Sequence, residues 1–146
     1  MADRLFVDAN VFMYLAGRDA TYRESCRHAI RGAIERGTML TTSAEVLQEF
    51  LHYYAARGRP ESARTVYQAA TDICAEILPI TEHQIVRALE VLVEHPGLPA
   101  RDALHVATME THGIERLLSA DKEFDRIETV ERVNPLAVPA GADSAS

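Results

Sequence analysis

Leu5-Phe6-Val7 is an unbroken apolar run that ends on an acid, Asp8, and passes at once into helical spacing. A short run of this kind reads as a buried central strand. The same switch recurs along the chain. Met39-Leu40-Thr41, Ile77–Ile80 (interrupted by Pro79), 116–119 and Thr129–Val133 read as further strands. Between them lie helical stretches, a short one at 11–15 and longer ones at 20–36, 43–54, 61–76, 81–95 and 99–112. Short strands alternating with such helices constrain the fold to α/β, a three-layer α/β/α arrangement with a short, mostly parallel central sheet. Start and stop signals agree: Asp8 and Thr42 or Ser43 as caps, Thr81 with Gln84 as a capping box, Pro99 at a helix start and Gly113 at its end. Asp121 to Phe124 reads as a tight turn or a short helix.

The length, 146 residues, is that of one domain. Residues 1–135 are expected to form it, and 136–146 to be a flexible tail without periodicity. MADRLFVDAN is not a signal peptide, and no run approaches the apolar length of a membrane span. Cys26 and Cys74 lack metal-ligand spacing and read as reduced thiols of a cytoplasmic protein.

The chain carries a net charge of -7, which argues against a protein that coats nucleic acid with positive charge. The acids are not evenly spread. Residues 1–60 have a net charge of +1 and residues 61–146 one of -8. Four acids fall at strand ends and helix starts, where open parallel sheets form their sites. Asp8 ends the first strand, Glu45 and Asp102 lie in first turns of helices, and Asp121 follows the fourth strand. Asp125 follows Asp121 at helical spacing. Each has a plain structural account as a cap, a first-turn acid or a turn former. Together they suit a hard divalent cation, Mg²⁺ or Mn²⁺, which takes several carboxylate oxygens.

The segments FVDANVFMYL (6–15), TTSAEVLQEF (41–50), PARDALHVATMETHG (99–113) and LLSADKEFDRI (117–127), in this order and spacing, resemble PIN-domain ribonucleases and, in size and layout, the VapC toxins of bacterial type II toxin–antitoxin pairs. The resemblance implies a toxic endoribonuclease that hydrolyses RNA phosphodiester bonds with a metal-activated water, leaving a 5′-phosphate and a 3′-hydroxyl. It implies Asp8, Glu45, Asp102 and Asp121 as the catalytic and metal-binding acids, with Asn10, Ser119 and Asp125 in support. His105 stands one turn below Asp102, either facing the crevice or packed in the helix. It also implies a VapB-type antitoxin partner, and homodimers are common in the family. Arg23, Arg27 and Arg31 make one helical stripe that, with Arg57 and Arg59, either tracks RNA phosphates or is a solvated face paired with acids. Phe50, Leu51, Tyr53 and Tyr54 are a candidate docking or dimer surface, or plain core. Rival readings are a PIN nuclease of RNA processing or decay without an antitoxin, and a non-catalytic protein-binding module. A phosphatase or response-regulator-like domain lacks the expected lysine pattern, since Lys122 is the sole lysine.

Overall fold

The computed structural model describes residues 3–136. Five strands, β1 (Arg4–Val7), β2 (Met39–Ser43), β3 (Glu76–Leu78), β4 (Arg116–Leu118) and β5 (Glu131–Val133), form one sheet in the order β3-β2-β1-β4-β5, with every neighbouring pair parallel. Six helices, α1 (Ala9–Leu15), α2 (Ala20–Glu35), α3 (Ala44–Ala56), α4 (Pro60–Ile73), α5 (Glu82–Glu94) and α6 (Ala100–Thr111), complete the expected three-layer α/β/α architecture. A parallel sheet buried on both faces needs continuous apolar strands. Leu5, Phe6, Val7, Leu40, Leu117 and Leu118 supply them and are buried. α6 carries the buried residues Ala103, His105, Val106, Ala107, Thr108 and Met109, which leaves little of it to face solvent and marks it as a core helix.

Caps set the helix starts. Asp8 accepts from the Ala9 amide, Ser43 Oγ from the Val46 amide, and Gln84 Oε1 from the Thr81 amide. Gly113, at φ 68°, ends α6 in a conformation that side chains with a Cβ resist. Several boundaries differ from expectation. The helix predicted over 61–76 stops at Ile73, because Cys74 is extended and the Ala75 amide bonds the Leu40 carbonyl at 2.9 Å. The sheet thus captures the chain early, and β3 closes at Leu78, ahead of Pro79. β5 starts at Glu131 rather than at 129, since the Val130 amide turns back to the Ile127 carbonyl.

The tail expected from 136 onward lies, from 137, outside the described residues. Both cysteines are free thiols. Among the described residues no helix is long and apolar enough to cross a membrane.

The sheet order reverses direction at β1. The chain steps outward from β1 to β2 to β3, then returns through α5 and α6 to place β4 on the other side of β1. The carboxyl ends of β1 and β4 therefore flank the crevice where α/β sheets hold their ligands.

Candidate active site at the sheet switch point

Asp8 follows β1 directly, and its amide continues the ladder to the Leu118 carbonyl of β4 at 3.0 Å. Its side chain is 4% exposed and fully tied. Oδ1 accepts from the Ala9 amide at 2.8 Å, while Oδ2 accepts from Ser119 Oγ at 2.7 Å and from Asn10 Nδ2 at 3.2 Å. Asn10 also donates to Ser119 Oγ and accepts from the Ala120 amide, both at 3.2 Å. Ser119 Oγ in turn accepts from the Asp121 amide at 3.0 Å. Asn10 and Ser119 thus lock the end of β1 to the end of β4 and fix the direction of the Asp8 carboxylate, the support expected of them.

Burial pushes the Asp8 carboxyl above its ordinary range, opposed by the nearby His105 and by the Ser119 bond. Asp102, in the first turn of α6, is half-buried and is carried up to about 6. Burial is the largest cause; His105 opposes it, and the charges of Asp8, Asp121 and Glu49 add to it. Asp102 therefore feels both Asp8 and Asp121 across the crevice. Asp121 also caps the 3-10 helix at 122–126, accepting from the Glu123 amide at 2.9 Å.

The glutamate in the cluster is Glu49, one turn beyond Glu45 on α3. One oxygen each from Asp8 and Glu49 and one ring nitrogen of His105 lie within 4.8 Å of one another. Glu49 Oε1 meets His105 Nε2 at 3.0 Å, and Oε2 lies 3.3 Å from Arg101. Burial alone would raise Glu49, but the His105 bond and the charges of His105 and Arg101 carry it below its ordinary value. Glu45 is not brought into this group. It lines an apolar groove with Ile85, Ala88, Leu89 and Leu92 of α5 and makes no hydrogen bond or ion pair to the described residues.

His105 satisfies both accounts given of it. It is fully buried in α6 beside Phe6, and it faces the acids, with Nε2 3.7 Å from Asp8 Oδ1. Burial favours the neutral ring, yet the Glu49 bond and the charges of Asp8, Glu49 and Asp102 outweigh it and favour the cation. Its Nδ1 is buried without a hydrogen-bond partner among the described residues. Asp125 is turned away from the cluster. Arg132 holds both its oxygens, at 2.8 and 3.1 Å, and spans to the Ser119 carbonyl at 3.0 Å.

Oxygen donors fit a hard cation. Buried carboxylates raised by burial and by one another are under electrostatic stress, which a divalent ion would relieve. Asp8, Asp102, Asp121 and Glu49 are the residues present that could hold it.

The other expected surfaces divide. Arg27 pairs with Glu24 at 2.8 Å and Arg23 bonds the Gly17 carbonyl at 3.1 Å, so two members of the stripe are engaged within their own neighbourhood. Phe50 and Tyr54 are core, whereas Leu51 and Tyr53 are exposed.

Residues 5–130 match the family model of the PIN domain. Ribonuclease VapC13 of Mycobacterium tuberculosis is 36% identical over 129 residues, spanning 88% of this chain and 98% of that protein. Ribonuclease VapC23 of the same species is 39% identical over 120 residues, spanning 80% and 92%. Two solved structures share the fold. VapBC2 from Rickettsia felis, bound to a promoter DNA fragment, gives a TM-score of 0.71 at 16% identity, over 90% of this chain and 98% of that one. VapC20 of M. tuberculosis, described as a sarcin-ricin loop cleaving toxin, gives 0.71 at 21% identity, over 87% and 97%. The chain belongs to the PIN-domain family and, within it, to the VapC ribonucleases.

Proposed function

We propose that this chain is the toxin of a toxin–antitoxin pair, a cytoplasmic endoribonuclease that requires Mg²⁺ or Mn²⁺ and is held in check by a VapB-type antitoxin. The observation that carries the site is the convergence of Asp8, Asp102, Asp121 and Glu49 on the switch-point crevice, two of them raised by burial. When bound there, the cation supplies positive charge against the phosphoryl oxygens and acidifies a water for in-line attack. The chain's own residues bind and orient. Asp8 is aimed by Ser119 and Asn10, Glu49 is held by His105 and Arg101, and Asp121 is set by the turn after β4. Glu49 is within reach of the crevice to bind the cation or to take a proton from the attacking water, in the place the resemblance gave to Glu45, while Glu45 itself stays one turn away at the rim. The serine of the cluster, Ser119, spends its hydroxyl proton on Asp8 Oδ2 rather than standing free as a nucleophile.

Solved neighbours described as VapBC complexes support the antitoxin partner. A homodimer is part of the same proposal. The surface that favours it is the exposed apolar stripe Ile85, Val86, Leu89 and Val93 on α5, the last two 59% and 81% exposed. The test is to map 5′-phosphate RNA ends in cells after brief expression. New ends at a few positions in one RNA class, absent with Asp8→Asn, are expected. No new ends, or the same ends with Asp8→Asn, would overturn the reading.

A further inference from the structure

A second cavity opens beside the acidic crevice. It has a volume of about 430 Å³, lies between the end of α1, the last turns of α3 and the start of α4, and is lined by Arg18, Tyr53, Tyr54, Arg59, Ser62 and Thr65 among others. We infer that this cavity is a nucleotide subsite, which takes an unstacked base and its phosphate from the RNA strand that crosses the acidic crevice.

Four observations carry this. The lining holds two guanidiniums, the three tyrosines Tyr14, Tyr53 and Tyr54, the hydroxyls of Ser62 and Thr65, and no carboxylate. Rings and guanidinium planes are what unstacked bases stack upon, and guanidiniums are what phosphates pair with. The Arg57 guanidinium already lies over the Tyr53 ring at 3.6 Å from its centre, and that of Arg59 stands 5.9 Å from the Tyr54 ring.

Charge bookkeeping singles out the place. Nine of the fourteen arginines sit against a carboxylate, among them Arg4, Arg87 and Arg132. Five have no carboxylate within ion-pair distance among the described residues: Arg31 and Arg36 lie on α2 and at its end, whereas Arg18 and Arg59 line this cavity and Arg57 stacks on its Tyr53. Positive charge left uncompensated in one spot of an acidic protein marks an anion partner. The first turn of α4, which lines the cavity through Ser62, adds the positive end of a 14-residue helix with no side-chain cap.

Position completes the case. Tyr53 follows Glu49 by one turn on the same face of α3, a rise of about 6 Å. Asp8 caps α1, and seven helical residues, a rise of about 10 Å, lead from it to the Gly17-Arg18 end that lines the cavity. That offset lies within the few nucleotides that a single-strand site spans. The inference rests on the ribonuclease reading for its ligand, since an acidic peptide would meet the same donors.

The test uses the double variant Arg18→Gln, Arg59→Gln in the full chain freed of antitoxin. Both residues are exposed and neither bonds the fold through its side chain, and an unchanged thermal midpoint checks this. Binding of a fluorescent single-stranded RNA oligonucleotide is measured across salt concentrations in the catalytically silenced Asp8→Asn background. Loss of two phosphate contacts should flatten the log–log salt slope by about 1.4. Tyr53→Leu should weaken binding by about tenfold through lost stacking. In the active protein the double variant should raise KM for a long RNA with kcat little changed, as expected for a contact remote from the reacting atoms. An unchanged slope and KM would overturn the inference, as would normal RNA binding coupled to weakened binding of the antitoxin's C-terminal peptide, which would make the cavity a protein dock. Failure to cleave any RNA would instead sink the ribonuclease reading, while the slope still judges the subsite.

Discussion

Asp102→Asn should make the metal-free protein more stable while disabling it. Asp102 is carried from 3.8 to about 6 by burial and by the charges of Asp8, Asp121 and Glu49. Left undiscounted, that displacement corresponds to about 3 kcal/mol. Asp102 is only half-buried, so solvent screening reduces it to about 1.5 kcal/mol. Asparagine also forfeits the favourable position of an acid in the first turn of α6, about 0.5 kcal/mol. The net gain at pH 7.5 is about 1 kcal/mol, which raises the melting midpoint of a domain this size by about 4 °C. The pH dependence follows from the direction of the shift. A carboxyl whose folded pKa is raised binds its proton more tightly when folded, so its penalty is present above about 6 and fades as pH falls toward 4. Thermal melts of wild type and variant in chelator, from pH 8 to pH 4.5, should therefore show a gap that is steady above pH 7 and narrows steadily below pH 6. A variant no more stable than wild type at pH 7.5, or a gap independent of pH, would refute the argument that these acids are held together under stress.

Further outcomes follow from the same geometry. Glu49→Gln should lower RNA cleavage by about a hundredfold or more, whereas Glu45→Gln should stay within about threefold, measured as kcat/KM on one RNA. Ser119→Ala removes the 2.7 Å bond to Asp8 and the acceptor of the Asp121 amide; denaturant melts should show a loss of about 1–2 kcal/mol, and cleavage should fall about 10- to 100-fold. Leu89→Glu places a charge in the exposed α5 stripe and should shift the molar mass in solution from dimer to monomer, by light scattering, without lowering the melting midpoint by more than about 2 °C.

Periodicity made the fold legible because parallel sheets leave few choices. The central strand β1 carries the bare apolar run Leu5-Phe6-Val7, and several helices show their caps, as Asp8, Ser43 and Thr81 with Gln84 illustrate. What it could not reveal was the capture of Ala75 by Leu40, a bond between residues far apart in the chain. The site divides along the same line. Asp8, Asn10, Ser119 and Asp121 act close to their own strand ends, so local reading located them. Choosing between Glu45 and Glu49 required knowing how α3 faces α6. Glu49 borders the buried stripe Val46, Phe50 and Tyr54, and an acid at the edge of an apolar face was the available signal. His105, set among the buried residues Ala103, Val106 and Ala107 of α6, carried a similar one. The arginine stripe on α2 read as a single face, but helical spacing does not reveal which guanidiniums are already paired. Arg31 of that stripe has no carboxylate partner among the described residues, but three other uncompensated guanidiniums, Arg18, Arg57 and Arg59, lie around Tyr53, where three helices meet.

Cleavage of RNA by the purified, antitoxin-free protein, with and without a divalent cation, tests the central claim most directly. Wild type should cleave in Mg²⁺ or Mn²⁺, stop in chelator, and leave 5′-phosphate ends. Folded Asp8→Asn should lose more than about a hundredfold under the same conditions. Cleavage that persists in chelator, or an Asp8→Asn protein as active as wild type, would contradict the account.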